Sequence, residues 1–528
     1  MSKRDKRRIC VADIETDPFL YGNTPIPFAV GFWDGERYID FWGDDCMQQF
    51  ADFMSDYPED VIIYMHNGGG FDFWYMQDWI TNPLFFIKTR IAKCGFLGRH
   101  ELRDSYKMIP VPLSEYQKDN IDYQLFWYPT REKPKVKAEI RHYLKKDCEY
   151  LRELVIDFVA RYGMHLTIGS AAIHHLKKLH PQNHESEAFD ARFRPYYMGG
   201  RNQAFRRGEV KAPLKVYDVN SMYPYVMSAY KHPLGGSFAK TKRIPDNRVS
   251  FSRITAESNG ALPLMDKGLK FPHGINDFWA CSHEIHAGID LGILRVMKVH
   301  ECLYFNGSQS FEAYIDRFSK EKIAAEERGD KGGRLYAKLF MNNAYGKFGQ
   351  DPRNYTDCML FDTIDELKEQ GYKPTLIQGT SFVGTKQSEL NDWSFNNVAI
   401  AASITSASRA ELMRGIAAAI NPVYCDTDSI ICESLSMDLH DTRLGAWKTE
   451  AACDSIYIAG KKMYACYDQG APLLIKGREK KACKGVNMSA ALIKDVAMGQ
   501  EIVIPIDAPS LKFGHDAKFI ARNIRATY

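Results

Sequence analysis

The sequence predicts a multidomain chain of α/β and α+β units, on three observations. The first is length, since 528 residues exceed one ordinary domain and imply several cores. The second is the pattern of roughly the first 165 residues. There the β-forming runs "ICVADIET" and "DVIIYMHN" precede a strongly amphipathic helix, "EIRHYLKKDCEYLRELVIDFVARYG". The third lies further along. "SFEAYIDRFSKEKIAAEERGDKGGRLYAKLFMNNAYGKFG" reads as two helices joined by a turn at "GDKGG". "NNVAIAASITSASRAELMRGIAAAI" reads as a long small-residue helix that leads into the strand-like "VYCDTDSII". Between these blocks, about Gly235 to Asn306 is dotted with Pro and Gly and is expected to be a loop-rich insertion with short strands.

Composition narrows the class. The chain is 45% hydrophobic and 26% charged with a formal charge of +3, so any nucleic-acid surface must come from local clusters. Twelve scattered cysteines without C-x-x-C spacing argue for reduced thiols in a cytoplasm-like compartment. The basic start "MSKRDKRR" has no apolar segment after it, so it reads as a solvated tail rather than a secretory signal. No apolar run is long enough to span a membrane, and no membrane partner is expected.

The acids carry the chemistry. In "VYCDTDSII", Asp426 and Asp428 are two apart; on one strand they would share a face and repel unless a cation lay between them. Asp-Thr-Asp-Ser is also good turn chemistry, with the flanking residues as two strands of a hairpin. "ADIETD" repeats the spacing with Asp13 and Glu15. "HNGGGFDF" supplies Asp72 after a glycine-rich turn, and Tyr143 and Asp147 share one face of the amphipathic helix. Four convergent carboxylates suit two divalent ions for in-line hydrolysis of a phosphodiester, with Tyr143 orienting the attacking water. Oxygen ligands favour Mg²⁺ or Mn²⁺.

In order, "DxE", "HNxxxFD" and "YxxxD" resemble the 3′–5′ exonuclease domain of family B DNA polymerases, an RNase H-like fold. The resemblance implies that Asp13, Glu15, Asp72 and Asp147 ligate metals. "DSYKMIPVPL" and "KDNIDY" resemble the protein-primed branch of that family. There Lys118 matches a catalytic lysine, and Thr16, Asn67, Phe71, Ser105 and Tyr123 match residues that hold a single-stranded 3′ end.

Asp218 in "KVYDVNSMYPYVM" either caps a helix or joins Asp426 and Asp428 at a second two-ion site. Arg334, Lys338, Asn342 and Tyr345 share a helical face, either as a solvated surface or as a cation row for a triphosphate. "DVNSMYP", "KLFMNNAYGK" and "YCDTDS" resemble the family's motifs A, B and C, with Met222 for the usual leucine and Asn343 for the usual serine. The resemblance implies that Asp218, the Val219 carbonyl and Asp428 ligate the metals, with Asp426 in support. By the same likeness Tyr223 stacks under the incoming sugar, Lys338 holds phosphates, Asn342 and Tyr345 face the nascent pair, and Lys322 joins them.

The "YMGG" run, with Tyr197, Gly199 and Gly200, resembles the YxGG linker associated with DNA handling. Lys462 and Tyr464 match the primer-contacting KxY motif. Lys476, Arg478, Lys480, Lys481 and Lys484 form a basic patch suited to the duplex backbone. The histidines of "HHLKKLH" and "HEIH" are expected to be structural rather than metal ligands.

By this likeness the chain carries an exonuclease domain (1–165) and a palm in two parts (166–229 and 396–485). Fingers occupy 311–349 and a thumb 486–528. Insertions at 230–310 and 350–395 correspond to those that contact a terminal priming protein and encircle the template. Expected partners are DNA, dNTPs and a terminal protein, with the enzyme a monomer in a host cytoplasm. Rival expectations are a primer-independent polymerase of a mobile element and a catalytically decayed DNA-binding replication factor.

Overall fold

The structure, a computed structural model, describes residues 6–181, 185–388 and 396–526. The first five residues of the basic tail and the last residues of the second insertion lie outside these. The N-terminal core is one ten-stranded mixed sheet. Arg8–Thr16 runs parallel to Val61–Met65, which in turn runs parallel to His100–Asp104. Both faces of Val61–Met65 are buried, which is why this run is continuously apolar. The helix Pro134–Tyr162 covers one face through Ile140, Leu144, Cys148, Leu151, Val155 and Phe158, the i, i+4 stripe that the sequence shows. Its close approach requires Gly31, where an added Cβ would meet Leu144 at 2.9 Å.

Three strands of the second insertion, Thr356–Phe361, Lys373–Gln378 and Ser381–Gln387, extend this same sheet. Cys358 pairs with Leu84, and Asn82 bonds the Leu360 backbone both ways, at 2.8 and 2.9 Å.

The first insertion corrects the sequence expectation. It is a four-stranded antiparallel sheet, Phe238–Thr241, Leu294–Phe305, Ser250–Asn259 and His273–Cys281, with the helix Ser282–Asp290 against it. Three of its strands run nine to twelve residues. Two register shifts where Leu294–Phe305 pairs with Ser250–Asn259 break the alternation that marks a strand in sequence. Its core of Ile254, Phe278, Ile285 and Leu294 reaches Ala410 and Met413 of the buried helix Val398–Ala418.

A third sheet of eight strands joins Gly208–Val219, Tyr424–Asp426, Ser429–Cys432, Trp447–Gly460 and Met463–Asp468 with shorter strands, including Asn202–Ala204. The helices Glu312–Glu327 and Lys331–Phe348 form the expected pair, with Asp330 capping the second from Gly333 N at 2.8 Å. Near the C-terminus the loop between Ile502–Pro505 and Ala521–Ile524 lies on the first sheet. There Phe513 joins the core, and His515 O accepts from Trp74 Nε1 at 2.8 Å. Among the described residues no helix is long and apolar enough to cross a membrane. All twelve cysteines are free thiols.

Glu185 is buried beside Gly236, with one carboxylate oxygen 3.3 Å from Asn397 Nδ2. Burial pushes its carboxyl up to about 7. A raised folded value gives stability that is full below the ordinary carboxylate range and lost as pH rises through about 7. Glu185→Gln is therefore expected to melt several degrees above the parent at pH 8 and alongside it at pH 5, as read by differential scanning calorimetry.

Candidate active sites: two carboxylate centres

The first centre forms where Arg8–Thr16 meets the long helix. Asp13 and Glu15 project from one face of the strand, and ligand oxygens of Asp13, Glu15 and Asp147 lie within 4.8 Å of one another. Asp72, 3% exposed, opens the short helix after Gly68–Gly70 and feels the charge of Asp13. Burial, then the Asp147 charge, pushes Asp13 up to about 7. Burial first and Asp13 second hold Glu15 and Asp72 well above the ordinary range. Asp147 is also raised by burial, against the pull of Lys118 Nζ at 3.2 Å. Tyr143 and Tyr123 share a hydroxyl hydrogen bond of 3.1 Å.

A cleft of about 530 Å³ opens beside these acids, lined by Asp13, Asn67, Arg90, Lys118, Tyr123 and Asp147 among others. Phe71 meets Phe19 edge to face at 5.6 Å. Thr16 and Ser105 are buried and donate to backbone carbonyls, Thr16 to Asp17 O at 3.1 Å and Ser105 to Met65 O at 3.2 Å. His66 and Arg90 are among the lining residues that sequence reasoning missed. His66 meets Ser105 Oγ at 3.0 Å and Val111 O at 2.9 Å; its place beside Asn67 in "HNGGGFD" was the available signal. Arg90 donates to Asn67 Oδ1 at 3.1 Å from a hairpin 23 residues on, which no local pattern reveals.

The second centre lies on the eight-stranded sheet. The stretch Val423–Ile431 is a hairpin rather than one strand, because Thr427 takes a φ of 57° and Tyr424–Asp426 folds onto Ser429–Cys432. Asp426 ends the first strand and Asp428 sits in the turn, so the two acids part company. Both Asp426 oxygens accept from Lys462 Nζ at 2.7 Å. Asp218 pairs with Ser429 across the strands, and Val219 N donates to Asp428 O at 2.8 Å. Burial, then the charges of Asp218 and Asp426, pushes Asp428 up to about 7. Burial raises Asp218 too, although Lys448 Nζ lies 3.5 Å away. Asp218 lies within its strand and caps no helix; the following helix, Met222–Ala229, begins after Ser221.

Around this centre the rings of Tyr223 and Tyr345 stack at 4.2 Å with 13° between their planes. Lys338 is exposed, and its carbonyl accepts from Asn342 Nδ2 at 3.0 Å. Arg334 lies 3.5 Å from Glu326, so part of the expected cation row is spent on the neighbouring helix that also carries Lys322. Tyr197 packs where Gly349 leaves room, Gly199 O accepts from Arg409 at 2.8 Å, and Gly200 lies against Thr427. Lys462 N donates to the Tyr424 hydroxyl at 2.9 Å, and the Tyr464 ring lies 4.9 Å from that of Tyr424. The basic patch is smaller than expected: Lys480 pairs with Glu450 and Lys481 with Glu479, each at 2.6 Å. Lys476, Arg478 and Lys484 make no ion pair among the described residues. The histidines stay in packing roles, with His175 among Tyr162 and Phe340 and His283 bonded to Lys231 O at 3.0 Å.

Residues 98–444 match the family model for DNA polymerase type B, organellar and viral. The DNA-directed DNA polymerase of Enterobacteria phage PRD1 is 38% identical, covering 99% of both chains. The chain belongs to the organellar and viral type B DNA polymerases. The DNA polymerase of Bacillus phage phi29 is 24% identical over 83% of each chain. Its solved structure with primer-template DNA superposes with a TM-score of 0.71 at 18% identity, covering 99% of this chain and 100% of that one. The type B fold therefore spans the molecule, an exonuclease domain followed by palm, fingers and thumb, and the enzyme is a DNA-directed DNA polymerase.

Type B polymerases use divalent metal ions. The residues fit such an ion at the first centre: three carboxylates converge, and the buried Asp147 Oδ1 has no hydrogen-bond partner. Ionising these acids without a counter-ion costs stability, since their folded values are raised and the penalty grows as pH climbs through about 7. With EDTA, Asp13→Asn is expected to melt above the parent at pH 8 and level with it at pH 5. With millimolar Mn²⁺ at pH 8 the order reverses, because only the parent gains from the cation.

Proposed function

We propose that this type B polymerase replicates a linear viral or mobile-element genome by protein-primed initiation and strand displacement, and that it proofreads at a separate exonuclease site. The observation that carries the reading is the pair of carboxylate centres on two different sheets, Asp13/Glu15/Asp147 and Asp218/Asp428. Solved structures of the phi29 polymerase with primer-template DNA and incoming nucleotides supply the likeness for DNA and dNTP as partners.

At the polymerase centre, the primer 3′-hydroxyl attacks the α-phosphorus of a dNTP and pyrophosphate leaves. Asp218, Val219 O and Asp428 would hold two Mg²⁺ or Mn²⁺ ions there, which would supply charge neutralisation for that exchange. Lys462 Nζ takes both oxygens of Asp426 and turns that side chain aside, which leaves Asp428 to face Asp218. Lys338, with Arg334 and Lys322 nearby, receives the triphosphate, and the Tyr223–Tyr345 stack forms the floor under the sugar. Tyr464, the YxGG linker and the residual basic patch of Lys484 and its neighbours track the primer duplex.

At the exonuclease centre, Asp13, Glu15, Asp72 and Asp147 would hold a second pair of divalent ions. Lys118 neutralises Asp147, and Tyr143 orients the attacking water. Tyr123, 49% exposed, and Phe71 offer ring faces to an unpaired 3′ end beside Asn67, with Thr16 and Ser105 bracing the wall. Initiation would use a hydroxyl of a terminal protein docked on the inserted sheet. The full-length likeness to the phi29 polymerase, both insertions included, supports that step.

The test is a 5′-labelled primer on a longer template with Mg²⁺, with and without dNTPs. The expected result is extension with dNTPs and stepwise shortening without them. Asp428→Ala loses extension by at least about a thousandfold and keeps shortening, whereas Asp13→Ala does the reverse. A primer unchanged in both lanes would sink the two-site reading.

A further inference from the structure

Arg201 follows the YMGG linker and is 5% exposed, yet among the described residues no carboxylate pairs with it. An arginine so placed needs its donors filled by other means. Two come from the sheet that carries the catalytic hairpin: Gln203 Oε1 accepts from Nε at 3.0 Å and from Nη2 at 2.7 Å. Gln203 sits on the strand Asn202–Ala204, directly opposite Cys425. Two further contacts come from the first insertion. Gly260 O accepts from Nη1 at 2.9 Å, and the guanidinium lies 4.2 Å over the ring of Phe271.

The backbone of the same residue holds the catalytic turn. Arg201 O accepts from Thr427 N at 2.6 Å, and Thr427 separates Asp426 from Asp428. Thr427 is β-branched and sits at φ 57°, a conformation that such residues resist, so an external bond has to keep it there. Gly200 completes the grip, since a Cβ there would meet the Thr427 side chain at 2.8 Å. The tongue between Gly260 and Phe271 makes one more tie, as Leu269 O accepts from Lys461 Nζ at 2.9 Å, next to the lysine that holds Asp426.

We propose that Arg201 is a positioning residue for nucleotide addition, clamping the inserted sheet to the turn that presents Asp428. Its side chain senses where the insertion sits, and its carbonyl passes that position to the catalytic turn. This rests on the reading of Asp218 and Asp428 as the polymerase acids. A flat, forked donor is what the geometry requires, so lysine is a poor substitute.

The full-length protein is compared with Arg201→Gln, Arg201→Lys, Phe271→Ala and the Gln/Ala double variant. Steady-state primer extension gives kcat and KM for dNTP, and single-stranded DNA gives excision. Arg201→Gln is expected to lower kcat about tenfold or more, with KM and excision within about twofold of the parent. Arg201→Lys falls between, and Phe271→Ala lowers kcat severalfold from the insertion side. The double variant is expected to be no slower than Arg201→Gln, because both substitutions break one connection. Parental kcat in Arg201→Gln, excision that falls in step with it, or effects that multiply in the double variant would overturn the proposal. Should Arg201→Gln fail to fold, Arg201→Lys and Phe271→Ala carry the same comparison. A parent that extends no primer refutes instead the reading on which the proposal rests.

Discussion

Crowding like charges where water is scarce is the constraint on which the rest of this structure depends. Two groups of carboxylates are held in low-dielectric surroundings, and Asp13 in one and Asp428 in the other are pushed upward by burial before neighbouring carboxylates add to the effect. Left alone, such groups would splay apart or draw in water. The protein prevents this with rigid supports, the paired strand Arg8–Thr16 at one centre and the strand-and-hairpin junction at the other. It adds cations sparingly. Lys118 touches Asp147, Lys448 approaches Asp218, and Lys462 takes both oxygens of Asp426. Partial neutralisation keeps the clusters foldable and leaves room for more positive charge.

The two centres also share a frame. The helix Pro134–Tyr162 carries Tyr143 and Asp147 at its middle. Two to four turns beyond Asp147, Leu154 O accepts from the Tyr336 hydroxyl at 2.6 Å, and Arg161 reaches Asp330 at 2.7 Å. Tyr336 and Asp330 belong to the helix that bears Lys338, Asn342 and Tyr345 and to its cap. A single rod thus fixes an acid of the first carboxylate centre at one point and braces the helix Lys331–Phe348 at another.

Much of this was legible because periodicity and side-chain chemistry coincide. The stripe Ile140–Leu144–Cys148–Leu151 announced its helix, and Asp13/Glu15 their strand, from spacing alone. The inserted sheet was not legible, since its bulges erase alternation and its Pro and Gly residues mimic loops. For "YCDTDS" the sequence left strand and turn both open, and the left-handed Thr427 decides for the turn. Arg201 and Arg90 escaped notice for a different reason. Their partners, Gly260, Phe271 and Asn67, lie far away in sequence, and two of the contacts are with backbone carbonyl or an aromatic face, which leave no charge pattern to read.

The shared ten-stranded sheet changes what counts as a module in this chain. Residues 8–104 form seven of its strands, and residues 356–387 contribute the other three from the far side of the polymerase motifs. A fragment ending near residue 165 would therefore keep every acid of the first centre but strip the partner from the edge strand Ile80–Ile87. Its backbone donors and acceptors would face solvent beside the exposed Phe85, an invitation to edge-to-edge association. Contiguity along the chain and independence as a folding unit come apart here. Evolution could lengthen or shorten the second insertion only while respecting the register of a sheet laid down more than 250 residues earlier, as the 278-residue separation of Asn82 from Leu360 records.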